Sequence, residues 1–183
     1  MSIEEIILAD AKSRKPEYAA RLILVEVQPE GLPAGIRHFS LQIDRLFDYI
    51  PINYIVIGDE YYCSLVKDDF AKLLWRFNLL AEKRLTARSL VTLFLLIGSP
   101  SRDRRMVERI EDITLPTKLK QPEPRQYAQL ITPPSLQNID DKIEARFSCF
   151  NIRSNSLENF LLSVNTDYTI GFEIKEHPLP TDS

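Results

Sequence analysis

Only two cysteines, Cys63 and Cys149, stand in 183 residues, so at most one disulfide could form, and the cross-linked framework on which small secreted domains rely is excluded. Both read as reduced core residues. Histidine is as scarce: His38 and His177 show neither C-x-x-C nor H-x-x-x-H spacing with any partner, which disfavours a zinc site. The five glycines, Gly31, Gly35, Gly58, Gly98 and Gly171, form no G-x-G-x-x-G, Walker or G-x-S-x-G pattern. Dinucleotide cradles, phosphate loops and the common hydrolase elbow are therefore missing, and no cofactor is implied. The most apolar stretch, residues 90–97, falls far short of the roughly 20 residues a membrane-crossing helix needs and reads as core. Charge of one sign is lacking too. With 23 Lys plus Arg against 26 Asp plus Glu, the net charge is -3, and nothing global points to nucleic acid or an anionic membrane. Met1-Ser2-Ile3-Glu4-Glu5 carries no basic region leading into an apolar run, so no secretory signal is read there and a cytoplasmic location is expected.

What is present is an ordinary globular pattern. Ser2 with Glu5 three residues on is a capping box, and Ile3, Ile6, Ile7 and Ala11 recur at helical spacing, which predicts a helix over residues 3–13. Residues 22–27 are almost continuously apolar and read as a strand covered on both faces. From Ile36 the alternation is clean: Phe39, Leu41 and Ile43 face one way, while His38, Ser40 and Gln42 face the other, which predicts one buried and one wet face. Residues 54–57 and 61–66 flank Gly58-Asp59-Glu60 as a hairpin, completing an antiparallel meander. Asp68 or Asp69 can cap a helix carrying Phe70, Leu73, Leu74, Phe77, Leu80 and Ala81 on one face. At about 100° per residue, Trp75 and Leu79 lie on the other side of that helix, so both faces need cover. Ser101 can cap a further helix with a stripe of Met106, Val107, Ile110 and Ile113.

From residue 112 to 141 the periodicity dissolves, and Pro116, Pro122, Pro124, Pro133 and Pro134 mark an extended connector, with residues 127–131 as an edge strand. Alternation over residues 143–149 and 168–174 predicts strands, whereas residues 157–164 suit helix and strand equally. The tail from Glu176 is polar and proline-bearing and is expected to be poorly ordered. The order of elements predicts an α+β protein, an N-terminal antiparallel sheet covered by helices with a small strand-rich C-terminal part. Its expected organisation is a core over residues 1–115, the connector over 116–142 and the C-terminal part over 143–183, packed on the same core.

Chemistry is thinly represented. His38 and Cys63 could meet as base and nucleophile if their strands were neighbours, but His38 reads as a solvent-facing strand residue. The acid pairs Asp59-Glu60, Asp68-Asp69 and Asp140-Asp141 sit at turns or helix starts, where carboxylates accept backbone N–H bonds. Glu26-Val27-Gln28, with Glu4 and Glu5 on the preceding helix, resembles the E-x-K or E-x-Q corner of restriction-endonuclease-like nucleases. There clustered carboxylates hold a divalent metal that activates water. The chain departs from that pattern: only a helix, not an acid-bearing strand, precedes Glu26, and no lysine follows it.

Charge is uneven along the chain. Between Lys72 and Arg109 nine basic residues face three acidic ones, a local charge of +6, which can steer the molecule toward an acidic partner. On the predicted helix after Ser101, Arg102, Arg105 and Arg109 fall within about 60° of one another. Without interleaved aromatics the cluster favours a protein partner over nucleic acid. Trp and Arg are enriched at binding hot spots, so Trp75, Leu79, Arg102, Arg105 and Arg109 are the expected interface residues. The expectation is a non-enzymatic cytoplasmic protein-binding or adaptor protein with a capacity to self-associate. A metal-dependent nuclease using Glu26 and a small-ligand binder with a pocket between sheet and helices are the alternatives.

Overall fold

The chain enters its first helix, α1 (Ile3–Arg14), through the capping box the sequence announces. The Glu5 N–H donates to Ser2 Oγ, and the Ser2 N–H donates to the Glu5 carboxylate at 2.7 Å. Two orphan donors are thereby satisfied. In the computed structural model the described residues are 1–43, 52–76, 78, 85–99, 103–113 and 127–179. They divide into two compact units, one of Met1–Arg84 with Thr92–Arg102 and one of Leu85–Val91 with Asp103–Ser183.

The first unit is built on four antiparallel strands in sequential order, β1 (Leu22–Val27), β2 (Ile36–Ile43), β3 (Ile52–Ile57) and β4 (Glu60–Cys63). This is the meander the alternation predicts. Gly58, at φ +60, opens the two-residue turn between β3 and β4, a position that right-twisted hairpins reserve for residues without a Cβ. On one face of the sheet Phe39, Leu41, Ile52, Tyr54, Val56 and Cys63 pack against Ile7 and Ala11 of α1.

The other face departs from expectation. His38 and Ser40, read as solvent-facing, are buried along with Asn53 and Ile55. Polar residues in alternation mark a face but do not say whether a second layer covers it. Here that layer includes a π-helical turn, Phe94–Gly98, which lies against β3 and against α2 (Asp69–Arg76). The turn continues α3 (Ala87–Leu93), whose start is capped by Thr86 Oγ1 accepting from the Ser89 N–H at 3.1 Å. Ser99 donates back to the Phe94 carbonyl at 2.7 Å, closing the wider ring. Phe94 meets Phe70 edge to face at 5.6 Å between centroids. Gly98 permits this approach, because a Cβ there would stand 2.8 Å from the Phe70 ring.

Strand β1, expected to be covered on both faces, is instead an edge strand, with Ile23, Val25 and Val27 exposed in a row. Helix α2 ends at Arg76, and Asn78, at φ +47, donates from its N–H to the Trp75 carbonyl. A left-handed residue of this kind turns a chain out of a helix. Phe77 and the predicted continuation over residues 79–81 lie outside the described residues.

The second unit is a sheet in the order β5-β7-β8-β9, with β6 sharing the edge of β7 that β5 occupies. Its strands are β5 (Arg104–Val107), β6 (Ser135–Ile139), β7 (Lys142–Asn151), β8 (Ser156–Asn165) and β9 (Ile170–Pro178). The helix predicted after Ser101 is overturned: Arg104–Val107 pairs with β7, and only a 3-10 turn, Ile110–Asp112, follows. Met106, Val107, Ile110 and Ile113 recur at helical spacing, but four residues of strand are too few to display their own period. Residues 127–131 form a helical turn rather than an edge strand, with the Leu130 N–H donating to the Tyr127 carbonyl at 2.9 Å. The ambiguous residues 157–164 are strand. In β8 Phe160, Leu162 and Val164 lie on one side and Leu157 on the other, and all four are buried. The tail is ordered further than expected, since β9 runs through His177 to Pro178 and Leu179 is buried.

Candidate functional site

Four side-chain clusters are candidate sites. The first lies under the π-turn. His38 on β2 stands opposite Ile55 of β3, two residues along the strand from Asn53 and on the same face, and its Nε2 lies 2.9 Å from Asn53 Oδ1. Asn53 donates in turn from Nδ2 to the Leu96 carbonyl of the π-turn at 3.2 Å. That bond fixes the amide, so the Asn53 oxygen faces His38 and Nε2 carries the imidazole proton. Nδ1 is then an acceptor, and it finds no partner among the described residues. Burial holds the His38 pKa below its ordinary value, against the upward pull of the Asn53 bond.

An unfolded chain takes up the imidazole proton near pH 6.5 while the folded chain resists it, so stability is intact above that pH and falls as pH drops below it. Urea midpoints measured from pH 7.5 to 5 should therefore decline in the wild type and decline less in His38→Gln. Equal slopes would show that His38 is not the titrating group.

Cys63 does not meet His38. The two sit on strands separated by β3 and face opposite sides of the sheet, Cys63 packing with Tyr54 and Ile7 on the α1 side. Burial raises the pKa of both cysteine thiols and keeps them protonated, which is the reverse of an activated nucleophile.

The second cluster contains the carboxylates singled out in the sequence. Glu26 on β1 and Glu4 on α1 do converge, but on Arg37 of β2. Arg37 Nε and Nη2 donate to the two Glu26 oxygens at 2.8 and 3.0 Å, and Nη2 also donates to Glu4 Oε1 at 2.7 Å. Both acids are held below their ordinary pKa by the hydrogen bonds from Arg37. A guanidinium bridges the two carboxylates, and its Cζ stands 4.7 Å from the Phe39 ring centroid. Among the described residues no group of three or more His, Cys, Asp or Glu is arranged to hold a metal ion.

The third cluster was not anticipated. Arg104, on the strand that replaces the predicted helix, donates from Nε to Glu158 Oε2 at 2.5 Å. The Arg104 and Glu158 side chains are only 8% and 4% exposed. Asn151 Nδ2 donates to Glu158 Oε1 at 2.8 Å, and the guanidinium carbon stands 5.2 Å from the Phe160 centroid. Every oxygen of the buried carboxylate has a donor, as a buried charge requires. The residues are 54 positions apart, and only strand register brings them together.

The fourth cluster is the predicted interface, and the structure disperses it. Trp75 on α2 is 63% exposed. Leu79 and Arg102 lie outside the described residues. Arg105 and Arg109 share no helical face: Arg105 projects from β5 opposite Phe150, and Arg109 follows the strand. Several neighbouring cations are matched locally, Arg109 to Asp112 at 3.7 Å, Arg88 to Glu108 at 3.3 Å, Arg76 to Glu60 at 2.9 Å and Arg153 to Asp103 at 3.0 Å. Much of the local positive charge is therefore neutralised by exposed pairs of modest strength. Among the described residues no helix is long and apolar enough to cross a membrane.

The fold is thus α+β, two antiparallel sheets with helical cover on the first. Comparison with protein-family models, with curated proteins and with solved structures gives no match in any of the three.

Proposed function

We propose that the chain is a non-enzymatic protein-binding or adaptor protein. Its occupant is a protein that offers an apolar pocket rimmed by carboxylates. The observation that carries this reading is Trp75, 63% exposed on a helix whose Phe70, Leu73 and Leu74 are buried. A large aromatic in water contributes little to the fold, while burial in a partner's pocket can make it a hot spot. Lys72 and Arg76, 59% and 55% exposed, flank it, each already in a surface ion pair, with Asp69 at 3.5 Å and Glu60 at 2.9 Å, that an acidic partner would have to share. Both cysteines are free and buried, which suits a reducing cytoplasm.

The test is capture of protein by the full tagged chain from its native cell extract, at low and moderate salt. A stoichiometric acidic protein should be captured by the wild type and lost with Trp75→Ala. The thermal midpoint should stay where it is, since substitutions at exposed positions leave stability within about 0.5 kcal/mol. Capture that Trp75→Ala leaves unchanged would refute the reading.

A further inference from the structure

We propose that the chain forms a homodimer by antiparallel pairing of β9 with β9 of a second copy, about a two-fold axis at Ile174. The proposal does not rest on the Trp75 reading. It rests on a self-complementary charge pattern along an open strand edge.

Among the described residues β9 pairs only with β8, so its other edge offers nine residues of backbone without a strand partner. All of them are exposed or half-buried, and no proline interrupts the strand before its last residue, Pro178. An open edge is a template for another chain and is commonly guarded by proline, bulges or charged side chains. Here the charges are of opposite sign. Glu173 and Lys175 stand one position either side of Ile174, which is the midpoint of Ile170–Pro178. Neither stands within 4 Å of an opposite charge among the described residues; Glu173 acts only at longer range on Lys142 of β7, whose ion-pair partner is Glu144 at 2.7 Å.

A perpendicular two-fold keeps each face of the sheet continuous, so paired residues must lie on the same face. With the axis at Ile174, all nine residues overlap and Glu173 of each copy stands directly opposite Lys175 of the other. Gly171 falls opposite His177 and leaves room for the imidazole. On the reverse face Ile174, 38% exposed, stands opposite its own counterpart, with Phe172, 41% exposed, diagonal to it and directly opposite Glu176; the Phe172 ring lies 6.5 Å from Phe160. Moving the axis one residue either way places like charges on it, Glu173 on Glu173 or Lys175 on Lys175. Moving it to Phe172 shortens the overlap to residues 170–174. Charge and length thus select one register, and the occupant that matches the pattern is a second copy.

Sedimentation equilibrium of the full chain tests this with substitutions confined to exposed side chains. The wild type should be dimeric. Lys175→Glu and Glu173→Lys should each weaken the dimer on the order of tenfold, because each turns two attractive cross-strand pairs into repulsive ones. The double variant E173K/K175E exchanges the charges and should restore the dimer. An equimolar mixture of the two single variants should form heterodimers, since one presents two acids where the other presents two bases. A wild type that stays monomeric throughout the concentration range would overturn the proposal. So would a dimer indifferent to both single changes, or one that the exchange does not restore.

Discussion

Replacing Arg104 by Ala is expected to destabilise the second unit by about 3–5 kcal/mol, the range seen when one partner of a buried ion pair is removed. The cause is the residue left behind. Glu158, 3% exposed, would keep Asn151 as a donor but lose its cation, leaving a buried carboxylate without a counter-charge. Substituting both partners by apolar residues, as in R104M/E158L, should recover most of the loss, because it is the unmatched charge that is expensive. Urea unfolding of the three proteins decides it. A single variant within 1 kcal/mol of the wild type would mean that solvent reaches Glu158.

The second large effect is expected in the first unit. Phe94→Ala removes a fully buried ring that touches Phe70 and lies 3.0 Å from where a Cβ on Gly98 would stand. Truncations of buried phenylalanine typically lose about 3–5 kcal/mol, part transfer and part cavity. The π-turn runs over five residues, and its Leu96 carbonyl accepts from Asn53 Nδ2. Collapse of the turn into the space left by the ring would therefore break the Asn53 bond that also orients His38. Unfolding midpoints measure the energy, and the His38 ring resonances should shift along with it. An unperturbed His38 signal would show that the turn and the imidazole are independent.

Local signals in the sequence located most elements but few of their surroundings. The Ser2 and Glu5 pattern gave the start of α1, and alternation from Ile36 gave β2, because both are set by neighbours within a few residues. Whether a face is wet depends on what the chain supplies later: His38 is buried by a layer that includes residues 94–98. Strand β1 misled in the opposite sense, since an apolar run reads as doubly covered while Ile23, Val25 and Val27 lie open on an edge. Arginines at positions 102, 105 and 109 look like a helical face only if the segment is helical. Pairing with β7, more than 40 residues on, makes it a strand and turns Arg104 from an unremarked surface cation into a buried one. The candidate interface suffered accordingly, keeping Trp75, whose exposure follows from its place on a short amphipathic helix.

The path of the chain through its two units governs how the protein can be taken apart. Residues 85–91 belong with the second unit, and the chain then returns to the first for residues 92–102 before leaving it for good. No single cut gives both pieces whole. A fragment ending at Arg84 would contain every strand of the first sheet yet lack Phe94 over Phe70 and the Leu96 carbonyl that Asn53 binds. During synthesis the same sheet must wait, its His38 face uncovered, until at least Gly98 has been added. The first half of the protein is therefore completed by residues made after the second has begun.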